Sequence, residues 1–153
     1  MAAGSYAFAT TPPPPPPEAT WQFGYPHFAN ITKDGTLMVS SHLSATQATN
    51  QPIAGQHAFM EFSINRASRT LTNGWYYNLG QEWAMYKGMA IKLPNDNVLA
   101  NYGTGGVLRE ITPSKQTAFY AKFDAPTGDD FFNKMLGLNF LVDDLYALNG
   151  GPD

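Results

Sequence analysis

Residues 27–39 read His-Phe-Ala-Asn-Ile-Thr-Lys-Asp-Gly-Thr-Leu-Met-Val, and residues 88–100 read Gly-Met-Ala-Ile-Lys-Leu-Pro-Asn-Asp-Asn-Val-Leu-Ala. In both copies two alternating runs flank a short turn of Asp, Asn or Gly, which is the pattern of two β-strands joined by a tight hairpin. A second motif repeats downstream, because residues 60–65 parallel residues 109–114 with a glutamate at the second position of each. The repeated unit therefore predicts four antiparallel strands in roughly 40–50 residues, which is the size of one β-propeller blade.

Two such blades are predicted, over about residues 27–77 and 88–123. The predicted strands, each rich in β-branched and aromatic residues, are 27–32, 36–41, 58–64, 70–77, 88–93, 98–102, 107–112 and 116–123. A remnant strand pair is predicted near residues 138–142 and 145–148. Propellers close with about four to eight blades. The chain is therefore predicted to be an all-β, incomplete propeller that associates with copies of itself or belongs to a longer architecture.

Composition agrees with an all-β fold and excludes several functions. Only 14% of the 153 residues are charged and another 14% are aromatic, against about 25% charged residues in a typical globular protein. No apolar run approaches the roughly 18–20 residues of a membrane helix, so no membrane span is predicted. The nine Lys and Arg are scattered, so no nucleic acid partner is predicted. The chain has no cysteine, which excludes disulfides, thiolate nucleophiles and cysteine-based metal sites.

The N-terminal segment has a different character. Residues 12–17 are six consecutive prolines, which adopt extended polyproline II and do not join a helix or a central strand. We therefore predict a disordered proline-rich tail over residues 1–20 and a partial propeller domain over residues 21–153. The tail is interpreted as a stiff linker, with a ligand for a proline-recognition module as the alternative. It lacks the basic start and apolar core of a signal peptide, and the cellular compartment stays open.

The chain has three histidines, and His27 is the candidate site residue among them. His27 begins a predicted strand, where it is either a structural histidine at a strand end or a residue at the mouth of a propeller channel. His42 is expected to be solvated at the edge of a polar loop, and His57 begins a strand with its role left open. Their spacing matches no usual metal motif, so no metal or cofactor is predicted. Glu61 and Glu110 share one repeat position, which indicates a structural role.

Six short motifs follow one another between the first tryptophan and residue 103. They are Trp21…His27, Asp34-Gly-Thr-Leu-Met-Val, Met60-Glu-Phe-Ser-Ile, Trp75-Tyr-Tyr, Leu93-Pro-Asn-Asp-Asn-Val-Leu and Tyr102-Gly. In order and spacing, over about residues 21–123, they resemble the C-terminal blades of bacterial-type arylsulfate sulfotransferases. That family consists of six-bladed propellers that transfer a sulfuryl group from an aryl sulfate to a phenol without a nucleotide donor.

The resemblance implies a site and a set of partners. The family's nucleophile is a histidine that carries the sulfuryl group on nitrogen, and by motif position it falls on His27. The implied partners are phenolic small molecules and aryl sulfates, and the implied location is periplasmic or secreted. The chain departs from the family at Pro26, where the family has Gln, and at residues 58–60, where the family has Tyr-Ser-Arg. These departures leave an alternative, a non-catalytic propeller-type binding or assembly module.

Overall fold

The computed structural model describes residues 7–8, 23–44, 52–78, 84, 86–124 and 136–137, with side chains in 26–42, 57–78, 84, 86–124 and 136–137. The strands are β1 Ala7–Phe8, β2 Phe23–Ile31, β3 Leu37–Ser44, β4 Pro52–Asn65, β5 Thr70–Tyr77, β6 Met89–Lys92, β7 Val98–Asn101, β8 Val107–Ile111 and β9 Thr117–Lys122. Within this part of the chain the only helical element is a 3-10 turn, Gly103–Gly105. The all-β prediction is confirmed.

The nine strands form two sheets. One has the order β1-β5-β4-β3-β2 and the other β6-β7-β8-β9. In each, four consecutive strands pair antiparallel with their neighbours, so both predicted blades are present as four-stranded meanders. The two-residue β1, from the predicted tail, adds in parallel to the edge of β5. The proline run and the predicted pair at 138–142 and 145–148 lie outside the described residues.

The hairpin turns explain why the repeat folds as it does. Loops at residues 32–36, 93–97 and 112–116 close through the same two backbone hydrogen bonds. The fourth residue of each loop has positive φ, and these residues are Gly35, Asp96 and Lys115. A turn followed by one left-handed residue is a common three-residue hairpin loop, and it matches the twist of the strands. Local sequence therefore fixes where each strand reverses.

The two sheets pack face to face, with β6 lying across β2 and β3. The core between them consists of Met38, Phe59, Tyr77, Ala84, Ala90, Val98, Ala100, Tyr102, Val107 and Ile111. A second buried cluster contains Val39, Ala58, Met60 and Phe62. Since neighbouring residues of a strand point to opposite faces, the first sheet is buried on both of its faces. Such burial is what the inner position of a blade between two neighbours requires.

The repeated glutamates anchor the hairpins of their own blades. Glu61 accepts a hydrogen bond from the hydroxyl of Thr36, and Glu110 accepts one from the side-chain amide of Asn97. Thr36 and Asn97 are themselves equivalent in the repeat, 61 positions apart. These contacts agree with the predicted structural role. Within the described part of the chain, no helix has the length and apolar character needed to cross a membrane.

Candidate functional site

Strand pairing brings the three histidines together at one end of the first sheet. His42 on β3 lies directly opposite His57 on β4. His27 lies on β2, where the register with β3 shifts between Pro26 and Phe28. The shift makes His27 the extra residue of a β-bulge, a device that re-aims a side chain. We call His27, His42 and His57 the histidine cluster.

The rings of the histidine cluster are in mutual contact. Ring centroids are 4.7 Å apart for His27 and His42, 5.5 Å for His27 and His57, and 5.2 Å for His42 and His57. One nitrogen from each ring lies within 4.8 Å of the others. His42 is only 2% exposed, so the expectation that it is solvated is wrong. Its ring packs against the rings of His27 and His57.

Two neighbours fix the ring of His57. A hydrogen bond of 2.8 Å joins its Nε2 to the hydroxyl of Ser40. Gly88, immediately before β6, packs against the other blade so closely that a Cβ atom there would lie 2.5 Å from Cε1 and Nε2 of His57. Phe59 and Tyr102 complete the surroundings with ring centroids at 5.0 and 5.8 Å. The ring is therefore held by packing on one side and by a hydroxyl on another.

The environment favours uncharged imidazoles. Burial, and then the charge of His42, lower the pKa of His27 to about 4. Burial also lowers the pKa of His57 well below its usual value, helped by His42 and His27 and weakly opposed by the backbone of Ala84. Among the described residues, nothing forms a hydrogen bond of good geometry with Nε2 of His27 or Nδ1 of His57, although both atoms are buried. These two rings are therefore neutral at pH 7, with nitrogen atoms open to a ligand or an electrophile.

The second blade carries glycine where the first blade carries the histidine cluster. Its strand pairing places Gly88, Gly103 and Gly106 at the positions equivalent to the three members of the histidine cluster. Gly103 and Gly106 have positive φ and border the 3-10 turn of that blade. The same four-strand meander therefore forms with no side chain at all three positions. The histidine cluster is confined to the first blade.

A second polar region lies at the opposite, hairpin end of the blades. The ammonium of Lys92 is 2.9 Å from carboxylate oxygens of both Asp34 and Glu61, and Lys33 is 2.9 Å from Asp96. These ion pairs line a cavity of about 440 Å³ next to Trp75. Since the charged groups pair with one another across the two blades, the region joins the blades and is not the stronger site candidate.

Sequence reasoning named His27 as the site residue but did not group it with the other members of the cluster, nor with Ser40 and Gly88. A signal for the grouping exists in the sequence, because Ser40 and His42 are two residues apart on one strand and therefore lie on one face of the sheet.

No family model and no curated protein matches this chain.

Proposed function

We propose that the protein transfers a sulfuryl group from an aryl sulfate to a phenolic acceptor, with His27 as the carrier. The observation that carries the proposal is the neutral imidazole of His27, whose buried Nε2 has no hydrogen-bond partner among the described residues. A neutral imidazole is a competent nucleophile near pH 7. The motif resemblance, which places the family's carrier histidine at this position, supports the same assignment.

The reaction takes place in two displacements. In the first, the lone pair of the His27 ring attacks the sulfur of the donor, an N–S bond forms, and the S–O(aryl) bond breaks with its electron pair leaving on the aryl oxygen. In the second, the acceptor oxygen attacks sulfur and the N–S bond breaks, returning the pair to the imidazole. The proton lost by the acceptor phenol balances the proton gained by the departing phenolate.

The remaining members of the histidine cluster are placed to assist. The rings of His42 and His57, with centroids 4.7 and 5.5 Å from that of His27, lie close enough for their polar edges to stabilise the charge that moves onto the sulfuryl oxygens. A neutral ring can also hold the proton in transit between acceptor and leaving phenol. Ser40 acts as a positioning residue, because its hydroxyl bonds to His57.

The test is the transfer of a sulfuryl group from 4-nitrophenyl sulfate to phenol. The release of nitrophenol measures its rate. Wild type is compared with His27→Gln and with Lys33→Gln, an exposed hairpin control. We expect release by wild type and the control, loss in His27→Gln, and an intact mass of the donor-treated wild type that is higher by one sulfuryl group. Equal release by wild type and His27→Gln, or none by either, would contradict the proposal.

A second candidate, an assembly module, is favoured by the outer face of the second sheet. Ile91, Leu99 and Leu108 are only half-buried there, and the neighbouring edge strand β9 leaves Phe119 48% exposed. Half-buried apolar residues across one sheet face are suited to contact with another blade. We propose a second copy of this chain as the occupant, because a propeller is built by stacking equivalent blades.

Mass in solution tests this candidate. Light scattering at micromolar concentration is expected to give about three times the monomer mass, since three two-bladed chains supply about six blades. Leu99→Glu is expected to reduce the mass to that of the monomer, while the exposed change Lys33→Gln leaves it unaltered. A monomeric wild type would refute self-assembly and would leave the sulfuryl proposal untouched.

A further inference from the structure

We propose that the histidine cluster is a binding site for a divalent transition metal ion, with Zn²⁺ as the best-fitting ion and one ring nitrogen from each histidine as ligand. Nothing in the sulfuryl proposal requires a metal, and the metal site stands on geometry alone. Three histidines and one open position form a known zinc coordination set.

The distances suit a site that tightens on binding. Zinc–nitrogen bonds of about 2.0–2.1 Å in a tetrahedral arrangement place ligand nitrogens roughly 3.3 Å apart. The three nitrogens of the histidine cluster already lie within 4.8 Å of one another. Closing the difference moves each nitrogen by less than about 1 Å, which side-chain rotation supplies. The strands that hold the histidines need not shift, because they are paired by backbone hydrogen bonds.

Burial supplies the second, independent observation. His57 is only 1% exposed, and its Nδ1 is buried without a hydrogen bond of good geometry among the described residues, the backbone of Ala84 being a weaker contact of this ring. The Nε2 of His27 is in the same condition. Buried polar atoms are normally paired because leaving one unpaired costs free energy. A metal ion would satisfy such nitrogens at once, and Ser40, already bonded to His57, would be the outer partner that orients the ligand.

The repeat argues that the cluster is not a packing device. The chain has only three histidines, and all three lie in this cluster. The equivalent positions of the second blade are all glycine, and two of them, Gly103 and Gly106, have positive φ beside the 3-10 turn of that blade. The second blade therefore closes at this end with a tight turn and no imidazole. A ligand that needs three nitrogens together gives a reason for their placement, since metal affinity rises with each ligand of the right type.

Metal binding and the proposed sulfuryl transfer would use the same atom of His27. A metal on the histidine cluster uses the same lone pair of His27 that would attack sulfur, so metal binding and sulfuryl transfer compete. If both proposals hold, Zn²⁺ inhibits release of nitrophenol. A chain that binds Zn²⁺ but never releases nitrophenol supports the metal site and contradicts the transferase. A chain that releases nitrophenol but binds no Zn²⁺ supports the transferase and contradicts the metal site.

The experiment is a titration of the full chain, prepared without a polyhistidine tag, with ZnCl₂. Imidazole ¹⁵N–¹H NMR reports on every histidine, because the chain has three. We expect one equivalent of Zn²⁺ to shift all three ring spin systems, and one equivalent of Co²⁺ to give the intense visible absorption of tetrahedral coordination. This measurement needs no variant and so does not depend on a substitution being tolerated.

Variants then test the ligand set. His42→Gln and Ser40→Ala are expected to weaken Zn²⁺ binding at least tenfold, the size of effect seen for ligand and outer-partner changes, while Lys33→Gln leaves it unaltered. Circular dichroism of each variant shows whether the sheets are retained. Zn²⁺ that shifts fewer than three histidines, binds with no fixed stoichiometry, or binds His42→Gln as well as wild type would overturn the proposal.

Discussion

Gly88 offers the sharpest test of the packing around the histidine cluster. Its φ lies outside the left-handed region, so alanine adds a Cβ without backbone strain. That Cβ would lie 2.5 Å from two atoms of the His57 ring and 2.8 Å from the hydroxyl of Ser40. Ordinary carbon contacts are about 3.5–4.0 Å, so the ring and hydroxyl must each move by about 1 Å. We expect Gly88→Ala to lower the free energy of unfolding by about 1–3 kcal/mol, the usual cost of overpacking.

The matched control is Gly74→Ala in β5. A Cβ at Gly74 meets only the backbone oxygen of Glu61, at 3.8 Å, which is ordinary contact. Alanine in a strand is favoured over glycine by about 0.5–1 kcal/mol, so this variant should equal or exceed wild type. Urea unfolding measures both variants, and Zn²⁺ titration should show at least tenfold weaker binding for Gly88→Ala alone. If Gly88→Ala matches Gly74→Ala in stability and in Zn²⁺ binding, the close approach of the two blades at His57 is wrong.

Two further predictions concern the joints between the blades, and a third concerns the histidine cluster. Lys92→Met should lower the free energy of unfolding by about 1 kcal/mol, because the Glu61 side chain is only 11% exposed and loses its cation. The control Lys33→Met changes a side chain that is 42% exposed, so it should leave the urea midpoint unchanged. Tyr77→Phe should cost about 1–2 kcal/mol, because the buried hydroxyl accepts a hydrogen bond of 2.9 Å from Arg109; a neutral result in urea unfolding contradicts that contact. Stability of the metal-free chain should be fully present above pH 6.5 and fall as the pH drops toward about 4. Burial lowers the pKa values of two members of the histidine cluster in the folded state, so the unfolded chain binds more protons in this window. A urea midpoint that stays constant between pH 7 and pH 4.5 would refute this.

The strands were largely predictable because alternation and turn residues are local signals. The strand predicted at 70–77 coincides with β5, Thr70–Tyr77. The strand predicted at 58–64 instead extends back to Pro52 in β4. That extension runs through a polar stretch with no strand pattern, and it exists because Ser44 at the end of β3 pairs with Pro52. Pairing with a neighbour can therefore recruit residues that local propensity would leave in a loop.

The candidate site was much less predictable. His27 was identified through a motif and its place at a strand start, and both are properties of the chain itself. His42 and His57 follow at intervals of 15 residues, a spacing with no meaning in a single strand or helix. They meet His27 because β3 and β4 reverse at the right lengths and β2 carries a bulge beside Pro26.

The sequence by itself determined an all-β chain of two repeated four-stranded units, because side-chain alternation and turn chemistry act over a few residues. Only the tertiary structure decided that three scattered histidines share one cluster, with His57 packed against Gly88. Their environment is set by strand register and by the packing of one blade on the other, which depend on residues about 15 to 60 positions away. Protonation, metal affinity and nucleophilicity of an imidazole all follow from that environment, so the chemistry of the site becomes visible only when the blades are packed together.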